Sequence, residues 1–238
     1  MYSKWNEKSL ENYDNKVAAL IEKYTVNPET CIIHIGTANS KTRMINEGTS
    51  AGLKGTCCAQ CKGDCREGCY AIVHGDGVYS SARDNHAQNT IMRRQDRRAY
   101  YETFFFFANL KGKNLRINET GDFEDERDVE AFIEVAKNYP KVRVIGYTHR
   151  SNLVGLLAEA NKLENVMLHF SVACNGSNRN IAIKHNVPTT EIVFDSKKAT
   201  CPFQVAKMHG NKVKWSCDKC ATLGCGCFSN KNVYFLAH

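Results

Sequence analysis

The sequence predicts an α/β protein, a partial (β/α) barrel or open parallel sheet of five to six strands, carrying a cysteine-rich loop and a cysteine-rich C-terminal segment. Three observations predict it. Short strand-like apolar runs alternate with helix-spaced patterns of 10–15 residues, the arrangement of parallel βαβ units. A chain of 238 residues with five or six such runs is too short for a closed eight-fold barrel. Ten of the 12 cysteines fall into two groups, Cys57–Cys69 and Cys201–Cys227.

The elements follow in order. Leu10, Tyr13, Val17, Leu20, Ile21 and Tyr24 recur at helical spacing and predict an amphipathic helix over 9–24. CIIHIG, Cys31–Gly36, is a short strand-like run, and a glycine- and cysteine-rich loop follows over 48–77. His86 to Asn109 predicts one long helix with a basic face and an aromatic end, Phe104–Phe107. NLRIN (Asn114–Asn118) is the next strand, and Val129, Phe132, Ile133 and Ala136 mark the helix after it. The pattern repeats through strand Val142–Tyr147, a helix bearing Leu153, Leu156, Leu157 and Ala160, strand Val166–Val172, a short helix Asn178–His185 and strand Glu191–Phe194. The expected division is an N-terminal helix (1–30), a partial barrel (31–198) and a C-terminal metal-binding segment (199–238).

Composition narrows the function. With 42% apolar and 24% charged residues the chain is neither disordered nor fibrous. No apolar run approaches the roughly 18 residues that span a bilayer, which predicts no membrane partner. The polar start, MYSKWNEKSLENYDNK, lacks a signal-peptide core, so a cytoplasmic location is expected. Cysteines in such a chain point to metal or redox chemistry rather than disulfides. The net charge of +7 is unevenly spread. Eight basic residues lie between Arg83 and Arg116, including Arg93, Arg94, Arg97 and Arg98, and six lysines between Lys197 and Lys219, while Glu119–Glu134 holds eight acids. Such blocks are either solvated helix faces or a cationic groove for a nucleotide or nucleic acid.

The first cysteine group, CCAQCKGDCREGCYA, holds Cys57, Cys58, Cys61, Cys65 and Cys69 on one loop. Thiolates at this spacing suit an iron–sulfur cluster, with zinc as the alternative. The second group is Cys201-Pro202 followed by CDKCATLGCGC, with Cys217, Cys220, Cys225 and Cys227. It supplies four ligands with one to spare, for either a structural zinc or a second iron–sulfur cluster. Cys31 lies in an apolar run and reads as core, and Cys174 ends a strand. Parallel α/β sheets bind ligands beyond the carboxyl ends of their strands, which selects Glu119–Asp122 and Thr148–Ser151.

From GCYA through GVYSSARDNHAQN and LRINETGDFEDERDVEAFIEVAKNYPKVRVIGYTHR to the terminal cysteines, the chain resembles the bacteriophage gene-product-88 family. That family looks in turn like a compact relative of radical S-adenosylmethionine (radical SAM) enzymes. The resemblance implies a [4Fe–4S] cluster, S-adenosylmethionine as cofactor, and an unknown substrate. It implies cluster ligands among Cys58, Cys61, Cys65 and Cys69, although the spacing C-x3-C-x3-C departs from the usual C-x3-C-x2-C. It also implies a cofactor role for Glu119, Thr120, Gly121, Asp122 and Tyr147. An acidic N-cap on the next helix is the plain alternative for Asp122. A non-catalytic, metal-stabilised nucleic-acid-binding or interaction protein is the competing function, and an electron carrier is a third.

Overall fold

Each strand-to-strand connection in this chain advances by one position across the sheet and never reverses. The computed structural model describes residues 7–36, 43–50, 80–172, 176–209 and 215–236. Within them six strands form one sheet in chain order, β1 (Ile45–Asn46), β2 (Leu115–Ile117), β3 (Val144–Thr148), β4 (Val166–Ser171), β5 (Thr189–Val193) and β6 (Val233–Leu236). All five pairings are parallel. The result is an open, curled half-barrel, as the alternation predicts.

The described α-helices are α1 (Glu7–Val26), α2 (Ser80–Gln95), α3 (Arg97–Leu110), α4 (Glu126–Asn138), α5 (Val154–Ala160), α6 (Arg179–His185), α7 (Pro202–Met208) and α8 (Cys217–Leu223). The two-residue period of a strand divides the sheet into two faces. Leu115, Ile117, Val144, Val166, Leu168 and Phe170 pack outward with Tyr101, Phe105, Phe132 and Leu157 of α3–α5 into the main core. Ile145, Tyr147 and Met167 point the other way and pack with Phe228, Cys220 and Ala221. The concave face is therefore covered by the C-terminal segment.

Three expectations change. Cys31–Gly36 is not a strand and meets the sheet only through an antiparallel bridge between Gly36 and Asn46. Side chains of α2 satisfy its backbone instead. Gln88 Oε1 accepts from Ile32 N at 3.1 Å, while Asn89 accepts from His34 N at 2.7 Å and donates to His34 O at 2.9 Å. The long helix predicted from His86 to Asn109 is two helices. Asp96 is extended (φ −148°), and its side chain accepts from Ala99 N at 2.9 Å to cap α3, a contact worth about 1 kcal/mol. The segment 199–238 shares the sheet with 31–198, because β6 pairs with β5. Cys31 is buried, as its apolar surroundings predict.

Candidate functional site at the carboxyl edge and concave face

The loops leaving β1, β2 and β3 are tied together by a buried polar network. Glu47, directly after β1, is fully buried. Its carboxylate accepts from Tyr100 Oη at 2.7 Å and from Asn118 N, just past β2, at 2.8 Å. Arg93 of α2 is equally buried and lies 3.4 Å from Asp128 Oδ2 and 4.0 Å from Glu47 Oε1. Its Nη2 donates to Asp122 O at 2.8 Å, and Tyr101 Oη donates to Asp128 Oδ1 at 2.9 Å. Burial raises the Glu47 pKa, against the lowering effect of Arg93 and its two hydrogen-bond donors. Sequence reasoning missed Glu47, Asn118 and Asp128. The signal for Glu47 was its place after a strand, but β1 is only two residues long.

The network fixes the turn Glu119–Asp122. Gly121 has φ +77°, and a Cβ there would stand 2.1 Å from Thr49 Oγ1, so only glycine lets this turn close on the loop after β1. Thr120 Oγ1 donates to Thr49 O at 2.9 Å and meets the His86 ring at 3.2 Å. Asp122 is not the helix cap: Asp125 caps α4 by accepting from Asp128 N at 3.0 Å. The Asp122 carboxylate instead accepts from Phe123 N and from His149 N, each at 2.8 Å, so it joins the β2 and β3 loops. Burial raises its pKa above the usual carboxylate value. Of the two carboxylates in this turn, Glu119 is the one that reaches the surface, its side chain 28% exposed and 3.6 Å from Arg116.

The basic block does not form a free cationic face. Arg93 is internal, Arg94 pairs with Glu124, and Arg97 with Asp125 at 3.0 Å. Arg98 meets Glu134 at 3.0 Å. The acidic stretch Glu119–Glu134 thus neutralises the arginines that sequence alone assigns to a polyanion.

On the concave face, Tyr147 connects strand and cysteines. Its ring lies 5.8 Å from the Arg116 guanidinium, and its hydroxyl donates to Cys227 Sγ at 3.1 Å. Burial pushes the Cys227 thiol up to about 12, although the Tyr147 hydrogen bond opposes the shift. His169, a strand residue that sequence gave no role, donates or accepts through Nε2 at Cys227 O, 2.8 Å away. Cys201, Cys220 and Cys225 gather beside them. Burial raises the Cys220 pKa, followed by its hydrogen bond to Cys225 and the neighbouring Cys217 and Cys201. Among the described residues, no three of His, Cys, Asp and Glu already stand in a metal-holding arrangement. Cys57, Cys58, Cys61, Cys65, Cys69 and Cys174 lie outside the described residues.

The structure therefore brings Glu119, Thr120, Gly121 and Asp122 to the carboxyl edge, with Tyr147 on the adjoining inner face, and collects the five C-terminal cysteines beneath them. Among the described residues, no helix is long and apolar enough to cross a membrane. The family model described as gene product 88 matches residues 10–224. No curated protein and no solved structure matches the chain.

Proposed function

The chain belongs to the gene product 88 family, and on that premise we propose that it is an iron–sulfur enzyme of radical SAM type, phage-encoded and active in the host cytoplasm. The observation that carries the reading is where the first cysteine group enters the fold. Residues 51–79 are inserted between Ser50, buried just after β1, and α2, in a half-barrel of parallel strands. Such sheets bind their ligands beyond the carboxyl ends of the strands. On this reading Cys58, Cys61, Cys65 and Cys69 supply the ligands of a [4Fe–4S] cluster.

When bound, a reduced cluster supplies the electron that cleaves S-adenosylmethionine to methionine, with 5′-deoxyadenosine formed once a substrate gives up a hydrogen atom. The chain's own residues position that cofactor. The Gly121 backbone allows close approach, and the Glu119 carboxylate suits the cofactor's ammonium. Asp122 is a positioning residue, since its carboxylate is spent on two backbone N–H groups. Tyr147 and Arg116 line the inner face beside the turn. The substrate class favoured is a nucleotide or nucleic acid, now resting on the net charge of +7 and on exposed Lys197, Lys198 and Lys207 rather than on the paired arginines.

The test is incubation of anaerobically purified, cluster-loaded protein with a reductant and S-adenosylmethionine. The expected product is 5′-deoxyadenosine, and Glu119→Gln weakens cofactor binding in calorimetry. Loaded protein that binds no S-adenosylmethionine overturns the reading. Zinc at both cysteine groups in place of iron would establish the non-catalytic alternative.

A further inference from the structure

The C-terminal cysteines converge by backbone geometry as well as by side-chain contact. Cys217 and Cys220 sit three residues apart on α8 and so share a helix face. Gly224, at φ +62°, ends that helix and turns the chain back, so that Cys225 N donates to Cys220 O at 3.1 Å. The Cys225 and Cys220 thiols are hydrogen-bonded. Gly226, at φ +56°, then lies against the Cys201-Pro202 corner: a Cβ there would stand 3.1 Å from Pro202 Cδ and 3.6 Å from Cys220 Sγ. Cys201 itself is fastened to β6 through Cys201 N and Tyr234 O at 3.3 Å.

Cys227 is held differently. Its carbonyl is bound by His169 and its thiol by Tyr147, both on the strand floor. Cys201 and Cys217 are near enough to be felt electrostatically by both Cys220 and Cys227.

We propose that Cys201, Cys217, Cys220 and Cys225 form a four-thiolate structural zinc site, with Cys227 left outside it as a thiol held by Tyr147. The proposal is independent of the iron–sulfur reading of Cys57–Cys69. Neutral thiols crowded under Ile145, Met167 and Phe228 cannot ionise together without a cation among them. A zinc ion supplies that cation, and binding releases the thiol protons. With Zn–S bonds of about 2.3 Å, tetrahedral ligand sulfurs stand about 3.8 Å apart, within reach of hydrogen-bonded thiols. An iron–sulfur cube holds its cysteine sulfurs farther apart and needs room for inorganic sulfide. The ligand-free thiols close onto the ion by small side-chain movements, since α8, the Gly224–Gly226 turn and the Cys201-Pro202 corner already meet.

The site has a structural purpose. Arg143 Nη1 donates to Ala221 O, and Asn114 Nδ2 donates to Asp218 at 2.8 Å. These contacts anchor α8 at the amino-terminal ends of β2 and β3. The zinc would clamp α8 to α7, and through Cys201 to β6, so that the segment closes the lower half of the concave face and leaves the Tyr147–Arg116 half open to a ligand.

The test uses the full chain carrying Cys65→Ala and Cys69→Ala, loaded with zinc and passed over a chelating resin. Cys201→Ser, Cys217→Ser, Cys220→Ser and Cys225→Ser should each lower retained zinc by more than about tenfold, whereas Cys227→Ser should retain it. Cobalt loaded into the same background, with all C-terminal cysteines intact, should show the intense charge-transfer bands of four thiolates in tetrahedral geometry, a readout that does not depend on the single variants folding. Loss of zinc in Cys227→Ser matching that in Cys220→Ser would overturn the ligand set. A cobalt spectrum without tetrahedral thiolate bands, or iron and sulfide bound at the C-terminal group, would overturn the site.

Discussion

The carboxyl-edge network and the concave-face thiols are both polar, both buried and both assembled from distant parts of the chain, yet they are closed in different ways. In the first, Arg93 stands between the Glu47 and Asp128 carboxylates, and Tyr100, Tyr101 and Asn118 N–H supply further donors. Opposite charges sit together and need nothing else. In the second, Cys220 and Cys225 bond to each other and Cys227 to Tyr147. That group holds no cation of its own and stays neutral only while protonated. The comparison teaches that a buried ion network can be complete as architecture, whereas a buried group of like acids is complete only with a ligand.

Breaking the first region should be the more costly. Arg93→Met leaves Glu47 and Asp128 facing one another across a fully buried space, and removing one partner of a buried pair costs about 3–5 kcal/mol. Urea denaturation of the variant should show a loss of that size. A loss under about 1 kcal/mol would mean that the network is not what ties the loops together.

Gly121→Ala comes next, with an expected loss of about 1–3 kcal/mol, since alanine would be strained at φ +77° and would strike Thr49. Thr49→Ala in the same chain should recover part of it by removing the hydroxyl, and denaturation of the double variant tests that coupling. Arg98→Ala should cost less than about 1 kcal/mol, because both partners of its pair with Glu134 are more than half exposed. A ranking of Arg98 above Arg93 in the same denaturation series would invert the contrast.

The smallest effect is in the pH dependence. Burial raises the folded-state pKa of Glu47 above its unfolded value. The folded protein therefore takes up this proton before the unfolded chain does, and the contribution of Glu47 to stability grows as pH falls through its raised folded pKa and levels off near the unfolded value of about 4.3. Glu47→Gln removes that contribution, so its urea midpoint should change differently with pH, with the advantage of the variant over the parent largest at neutral pH and shrinking toward acid. Parallel pH profiles would show that Glu47 does not titrate in this range.

Much of the half-barrel was legible because β2 to β5 each carry apolar residues on a two-residue period and each is followed by a helix-spaced run. What was illegible has physical causes. β1 is two residues long, too short for a pattern, and the more apolar Cys31–Gly36 run beside it is paired by Gln88 and Asn89 side chains rather than by a strand. The break at Asp96 was hidden because the residues on either side are good helix formers, and only the cap geometry reveals it. Of the candidate site, Glu119–Asp122 and Tyr147 were found by the rule that ligands lie at strand ends. The arginine block was misassigned because its partners, Glu124, Asp125 and Glu134, lie about 30 residues away, a distance across which charge patterning cannot pair residues. The grouping of Cys201 with Cys220 and Cys225 depends on the meeting of Pro202 and Gly226, which no local spacing encodes.

The central claim is that the two cysteine groups have different chemistry, iron and sulfide at Cys58–Cys69 and a redox-silent metal at Cys201–Cys225. The most direct measurement is iron, acid-labile sulfide and zinc content of the protein purified without oxygen, compared with the Cys65→Ala/Cys69→Ala variant. The account predicts a brown parent protein containing iron, sulfide and zinc, and a colourless variant that has lost the iron and sulfide and kept the zinc. Iron and sulfide unchanged in the variant, or a parent protein containing zinc and no iron, would contradict it.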